Sequence, residues 1–162
     1  MIFTVKTNEK IAKDVFLMTL SGDTSNIVSP GGFVELELPG LYLRRPISVC
    51  DVSDGILTLI YKVVGVGTDA MCKYESGVRL DVLTGLGNGF NVDADTKNPL
   101  LVGGGVGVPP LYMLCKKLIA QGKEVSVILG FNTKDEIFYE EDFKALGAKV
   151  YVTTVDGSGP QV

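Results

Sequence analysis

The chain has 162 residues, 46% hydrophobic and 21% charged, enough apolar material to build one large domain or two small ones. Fifteen basic against nineteen acidic residues leave a net charge of −4; no Lys/Arg cluster stands out, which argues against nucleic acid or an anionic membrane as partner. There is no histidine, so the commonest metal ligand and the usual general base near neutral pH are both missing, and a bound cofactor is expected to carry any chemistry.

The opening residues 1–10 carry Lys6, Glu9 and Lys10 and lack an apolar core, so they do not read as a signal peptide. β-rich or alternating runs follow at Ile2–Val5, Val15–Leu20, Phe33–Leu38, Ile47–Cys50, Ile56–Val63 and Arg79–Leu83. They are separated by the turn signals Ser29-Pro30-Gly31-Gly32, Pro39-Gly40 and Asp54-Gly55. Phe33, Glu35 and Glu37 alternate with Val34, Leu36 and Leu38, a strand with one wet face. Six such strands predict a small antiparallel barrel, with one short helix near 69–74.

The second half changes period. Pro99–Val102 reads as a buried strand, Leu111–Ala120 as an amphipathic helix, Glu124–Leu129 as a strand, Tyr139–Leu146 as a helix and Lys149–Thr154 as a strand. That alternation predicts a parallel sheet. The polar run 93–98 joins the halves, giving a first domain over 1–95 and a second over 96–162. Three parallel strands are fewer than a nucleotide-binding sheet of this kind normally has, and the expectation is a chain cut short within that domain. The longest apolar region surrounds glycines 103–107 and is broken by Pro109 and Pro110, too short to span a bilayer. The protein is therefore expected in the cytoplasm.

Three places carry candidate chemistry. Gly103, Gly104, Gly105 and Gly107 lie between a strand and a helix opened by two prolines, where bare N–H groups suit a pyrophosphate. The register is not GxGxxG, no acidic residue ends the following strand, and no Gly-Lys-Ser/Thr is present, so neither a Rossmann ribose clamp nor a P-loop is supported. The alternative is a glycine turn that lets the helix pack close to the strand. In Arg44-Arg45-Pro46-Ile47-Ser48, a cation precedes a fixed backbone and a hydroxyl follows, as a diphosphate and a heterocycle would need; two solvated arginines at a strand edge are the alternative. Ile60-Tyr61-Lys62, followed by Gly67-Thr68 at a helix start, again suits a phosphate, or an ordinary N-cap turn. Cys50, Cys72 and Cys115 are widely spaced, with no CxxC, and read as three buried, reduced thiols rather than metal ligands.

Taken together and in this order, these clusters resemble the ferredoxin–NADP reductase superfamily. Within it, Leu43-Arg44-Arg45-Pro46-Ile47-Ser48 and Asp81-Val82-Leu83-Thr84-Gly85-Leu86-Gly87-Asn88-Gly89-Phe90 are most similar to the electron-transfer subunits of NAD-dependent dihydroorotate dehydrogenases. The likeness runs from about residue 3 to 158. It implies a six-stranded FAD-binding barrel followed by an NAD-binding α/β domain. Arg45 would pair with the FAD diphosphate, Ser48 would lie near the flavin ring with its hydroxyl close to N5, and Pro46 and Ile47 between them would belong to the same cofactor-binding segment. Ile60, Tyr61 and Lys62 would line the isoalloxazine and ribityl side, and Gly67 and Thr68 would take the diphosphate. Gly103, Gly104, Gly105 and Gly107 would approach NAD(H).

The resemblance further implies electron transfer to an FMN-bearing dihydroorotate dehydrogenase catalytic subunit in a hetero-oligomer of pyrimidine biosynthesis. No side-chain acid or base would be needed. Members of the family continue through a Cys-Gly-Pro turn and a cysteine-rich segment holding a [2Fe–2S] cluster, neither of which this sequence contains. Two alternatives remain open: the small subunit of a ferredoxin:NADP oxidoreductase or sulfide dehydrogenase complex, and a truncated non-catalytic flavin-binding domain.

Overall fold

Six strands close into an antiparallel barrel in a computed structural model that describes residues 1–160. They are β1 (Ile2–Ala12), β2 (Val15–Ser21), β3 (Phe33–Leu36), β4 (Arg45–Ser53), β5 (Ile56–Lys62) and β6 (Arg79–Leu86), arranged β1-β2-β5-β4-β3-β6. The wet-face alternation in β3 is as expected: Val34 and Leu36 are fully buried, and Leu38 just beyond the strand nearly so. With Phe3, Val5, Met18, Leu20, Leu57, Leu59 and Leu80 they fill the barrel interior.

Several boundaries differ from the sequence reading, two of them for identifiable reasons. β1 runs to Ala12 rather than Val5, because Asn8, Glu9 and Lys10 pair with Met18, Leu17 and Phe16 of β2 in spite of their polarity. Asp14, in the turn, adopts φ +58°, a left-handed conformation that Asp tolerates. The short helix α1 is Val66–Met71 rather than 69–74. Thr68 sets its start: its hydroxyl accepts from Val64 N–H at 2.9 Å and Gly65 N–H at 3.2 Å and donates to Gly65 C=O at 3.1 Å.

The second unit is a parallel sheet in the order β7 (Leu100–Gly104), β8 (Ser126–Phe131) and β9 (Lys149–Thr154), linked by α2 (Pro110–Ala120) and α3 (Glu140–Ala145). One-turn 3-10 helices at Gly105–Gly107 and Lys134–Glu136 follow β7 and β8. α2 buries Leu111, Leu114, Cys115 and Leu118, spaced i, i+3, i+4, i+7. That stripe shares one core with Val127, Leu129, Phe143 and Val152 of the sheet unit and with Val15, Cys50 and Ile60 of the barrel. The barrel and the sheet are thus packed through α2, and a Lys116–Asp51 ion pair at 2.6 Å closes the same contact. Among the described residues no helix is long and apolar enough to cross a membrane.

Candidate functional site

Arg44 and Arg45 are neighbours in sequence with opposite fates. Arg44 is spent on the barrel wall, where it pairs with Glu37 at 2.7 Å and Asp81 at 3.4 Å and donates to Asp81 C=O at 3.1 Å. Arg45 opens β4, donates to Leu43 C=O, and lies across the start of α1. A Cβ on Gly67 would strike its Nε and Cζ, so the absence of a side chain at Gly67 makes the bed on which the guanidinium rests.

Beside Arg45 a pocket of about 340 Å3 opens between β4 and β5. Pro46, Ile47 and Ser48 line one wall and Ile60, Tyr61 and Lys62 the other, with Thr68 at the α1 end. The structure therefore brings eight of the sequence-predicted residues around one cavity, with Gly67 beneath. Their contributions are unequal. Tyr61 turns its ring into the barrel core, stacked 6.0 Å from Phe16, with its hydroxyl donating to Asn8 at 2.8 Å. Burial pushes that phenol well above its ordinary pKa, so Tyr61 serves as a fixed neutral wall. Thr68 lines the pocket, yet its hydroxyl is engaged in the cap of α1 described above. Arg45, Ser48 and Lys62 are the remaining polar side chains that line this pocket.

A second, larger cleft of about 550 Å3 lies across the carboxyl ends of β7, β8 and β9. That is where open α/β sheets bind their ligands. Gly104, Gly105, Gly130, Asn132 and Thr153–Val155 form its floor. The four glycines at the end of β7 and in the turn that follows divide here. Gly104 and Gly105 line the cleft, and Gly105 takes φ +52°. Gly103 is a packing position: a Cβ there would fall 2.7 Å from Leu111 Cδ1 and 3.2 Å from Gly107 O. Gly107 faces open space and lines neither cavity.

The two cavities share a wall made of Lys62 and Val106. Lys62 Nζ is 2.7 Å from Glu136 Oε1, while Glu136 Oε2 accepts the Thr133 N–H at 3.2 Å. The Lys62 hydrogen bond holds the Glu136 carboxyl below its usual pKa. One residue row away, Lys13 N–H donates to Asp135 C=O at 2.8 Å. The sequence reading missed Val64, Val106, Asn132 and Glu136. Thr133-x-x-Glu136 is a legible capping box, but nothing local announces its partner 74 residues away.

Cys50 and Cys115 are buried and Cys72 half-buried, all free. Among the described residues no group of three or more His, Cys, Asp or Glu is placed to hold a metal. A [2Fe–2S] cluster, which needs four such ligands, does not fit them.

No protein-family model matches the chain. The dihydroorotate dehydrogenase B (NAD(+)) electron transfer subunit of Fusobacterium nucleatum subsp. nucleatum is 44% identical over 163 residues, 96% of this chain and 62% of the relative. That of Bacillus mycoides is 44% identical over 162 residues, with 95% and 62% covered. The chain thus spans less than two thirds of the length of these curated relatives. Among solved structures, the NADH-dependent reduced ferredoxin-NADP oxidoreductase superposes with a TM-score of 0.88 at 32% identity, covering 99% of this chain and 59% of the other. The ferredoxin reductase of carbazole 1,9a-dioxygenase shares the fold, with a TM-score of 0.86 at 20% identity over 99% and 52% of the two chains.

Proposed function

This chain is a homologue of the electron transfer subunits of dihydroorotate dehydrogenase B, and on that footing we propose that it binds FAD in the barrel pocket and NAD(H) in the strand-end cleft. One observation carries the reading: the two cavities meet at Lys62 and Val106, so a heterocycle held in one faces a heterocycle held in the other. The division of labour falls between residues 1–95 for the flavin and 96–162 for the nicotinamide nucleotide.

The donor set suits FAD. Arg45, laid over Gly67, offers a guanidinium fork to the diphosphate. Ser48 offers a hydroxyl to the ring, and Ile47, Ile60 and Val64 supply apolar walls. Gly104 and Gly105 let a nucleotide approach the backbone at the end of β7. Bound flavin accepts a hydride and can release single electrons. The protein's task is then to hold two rings face to face and keep water out. That task needs no general base, in keeping with a chain without histidine.

In the whole protein we assign these electrons to exchange with an FMN-bearing dihydroorotate dehydrogenase catalytic subunit, in a cytoplasmic hetero-oligomer of pyrimidine biosynthesis. The [2Fe–2S] centre of the family has no ligand set among the described residues, and no electron step through such a centre is assigned to them.

A second reading, the small subunit of a ferredoxin:NADP oxidoreductase, is favoured by the 32% identity to the NADH-dependent reduced ferredoxin-NADP oxidoreductase. Anaerobic assays with each purified partner separate the two. The whole protein, FAD-loaded and reduced by NADH, is expected to pass electrons to a dihydroorotate dehydrogenase catalytic subunit; transfer to ferredoxin alone would favour the second reading. Purified protein that retains no flavin and takes up none would overturn both.

A further inference from the structure

Among the described residues Lys62 is the one charged side chain that borders both cavities. It stands at the end of β5, where a lysine stem is free to sweep through solvent. Here it does not. Its ammonium is held at 2.7 Å by Glu136, which has little freedom of its own. One Glu136 oxygen is fixed by the Thr133 N–H, and the carboxylate sits on a one-turn helix tied to the barrel by the Lys13–Asp135 backbone bond. The Glu136 side chain is 14% exposed and that of Lys62 31%, so the pair lies in the seam rather than on the outer surface. An ammonium has three donors, and among the described residues Lys62 Nζ makes only this hydrogen bond. Two N–H groups are left over at the junction of the cavities.

We propose that Glu136 is a positioning residue, contributed by the sheet unit, that holds the Lys62 ammonium at the junction so that its remaining donors meet an oxygen of the dinucleotide in the strand-end cleft. The inference rests on the reading that NAD(H) occupies this cleft. It assigns the pair a purpose beyond cohesion. A carboxylate from one unit aims a cation from the other, and the cation is correctly aimed only when barrel and sheet are docked. Glu136 therefore acts on the nucleotide through Lys62 and not by its own contact.

A double-mutant cycle tests this on FAD-loaded protein, reading NAD+ affinity from the perturbation of the flavin spectrum, with thermal melting to confirm folding. Glu136→Ala in the native background is expected to weaken NAD+ binding about tenfold, whereas in a Lys62→Met background it adds less than about twofold. Glu136→Gln, whose single carbonyl serves only one of the two N–H partners, is expected to fall between. It stands in for the alanine variant if that variant does not fold. Lys62→Arg, which keeps a cation within reach of Glu136, is expected to retain most of the affinity.

Equal losses from Glu136→Ala with and without Lys62, or no loss in either background, would overturn the inference while leaving the NAD(H) reading intact. Native FAD-loaded protein that binds no NAD+ would overturn the reading itself.

Discussion

At the scale of single residues, the site depends on what side chains are kept from doing. On the proposed reading Arg45 meets the diphosphate: it rests on Gly67, which offers no Cβ, while its neighbour Arg44 absorbs Glu37 and Asp81. Arg45→Ala is expected to weaken FAD binding by roughly 10- to 100-fold, the loss of a charge-assisted hydrogen-bonding group. Arg45→Lys should recover only part of it, since a point charge does not replace a planar fork; titration of apoprotein with FAD measures both. Gly103 in β7 and Gly107 in the turn beyond it make a second contrast. Gly103→Ala pushes into Leu111 and the turn backbone and is expected to cost about 1–3 kcal/mol of stability in denaturant unfolding. Gly107→Ala meets nothing within 4 Å and should stay within about 0.5 kcal/mol.

The thiols separate in the same way. Burial pushes Cys50 up to about 12 and Cys115 up to about 11, so both stay protonated and unreactive near neutrality. Alkylation of the native protein is expected at Cys72 alone, and at all three after unfolding; peptide mass mapping distinguishes the patterns.

Among elements, α2 has the most consequence, because its buried stripe packs against the sheet and the barrel together. Leu114→Ala, at the middle of that stripe, is expected to cost about 2–5 kcal/mol, lowering the stability of both units. Breaking the Lys116–Asp51 pair should cost less, about 1–2 kcal/mol, since Asp51 is only 16% exposed but the lysine is 40% exposed and screened by solvent.

The Lys62–Glu136 contact has a pH signature. The carboxyl is depressed below its usual 4.5 chiefly by its hydrogen bond to Lys62. Its contribution is therefore present above pH 4.5 and lost as pH falls below that value through the depressed one. Glu136→Gln should flatten the acid limb of stability against pH, and acid unfolding of the two proteins in parallel checks it.

Sequence alone made the element types legible wherever period and burial agree, as in β3, where Val34 and Leu36 alternate with glutamates, and in α2. It fell short where pairing overrode polarity, as in the second half of β1. It fell short again where a cap lay upstream of the hydroxyl that made it, as at Thr68. For the site, Arg45-Pro46-Ile47-Ser48 and Ile60-Tyr61-Lys62 were legible as adjacent patterns. The partnership of Lys62 with Glu136 was not, because it is a product of how two units dock.

For the whole molecule, the shared core of barrel and sheet keeps two cavities in register along a common wall. On the proposed reading this wall separates a flavin from a nicotinamide. The most direct test is anaerobic rapid mixing of the FAD-loaded protein with NADH while the flavin absorbance is followed. Stoichiometric FAD and bleaching of its visible band at a rate that saturates with NADH are expected. FAD that binds in the barrel yet stays fully oxidised at saturating NADH would contradict that reading.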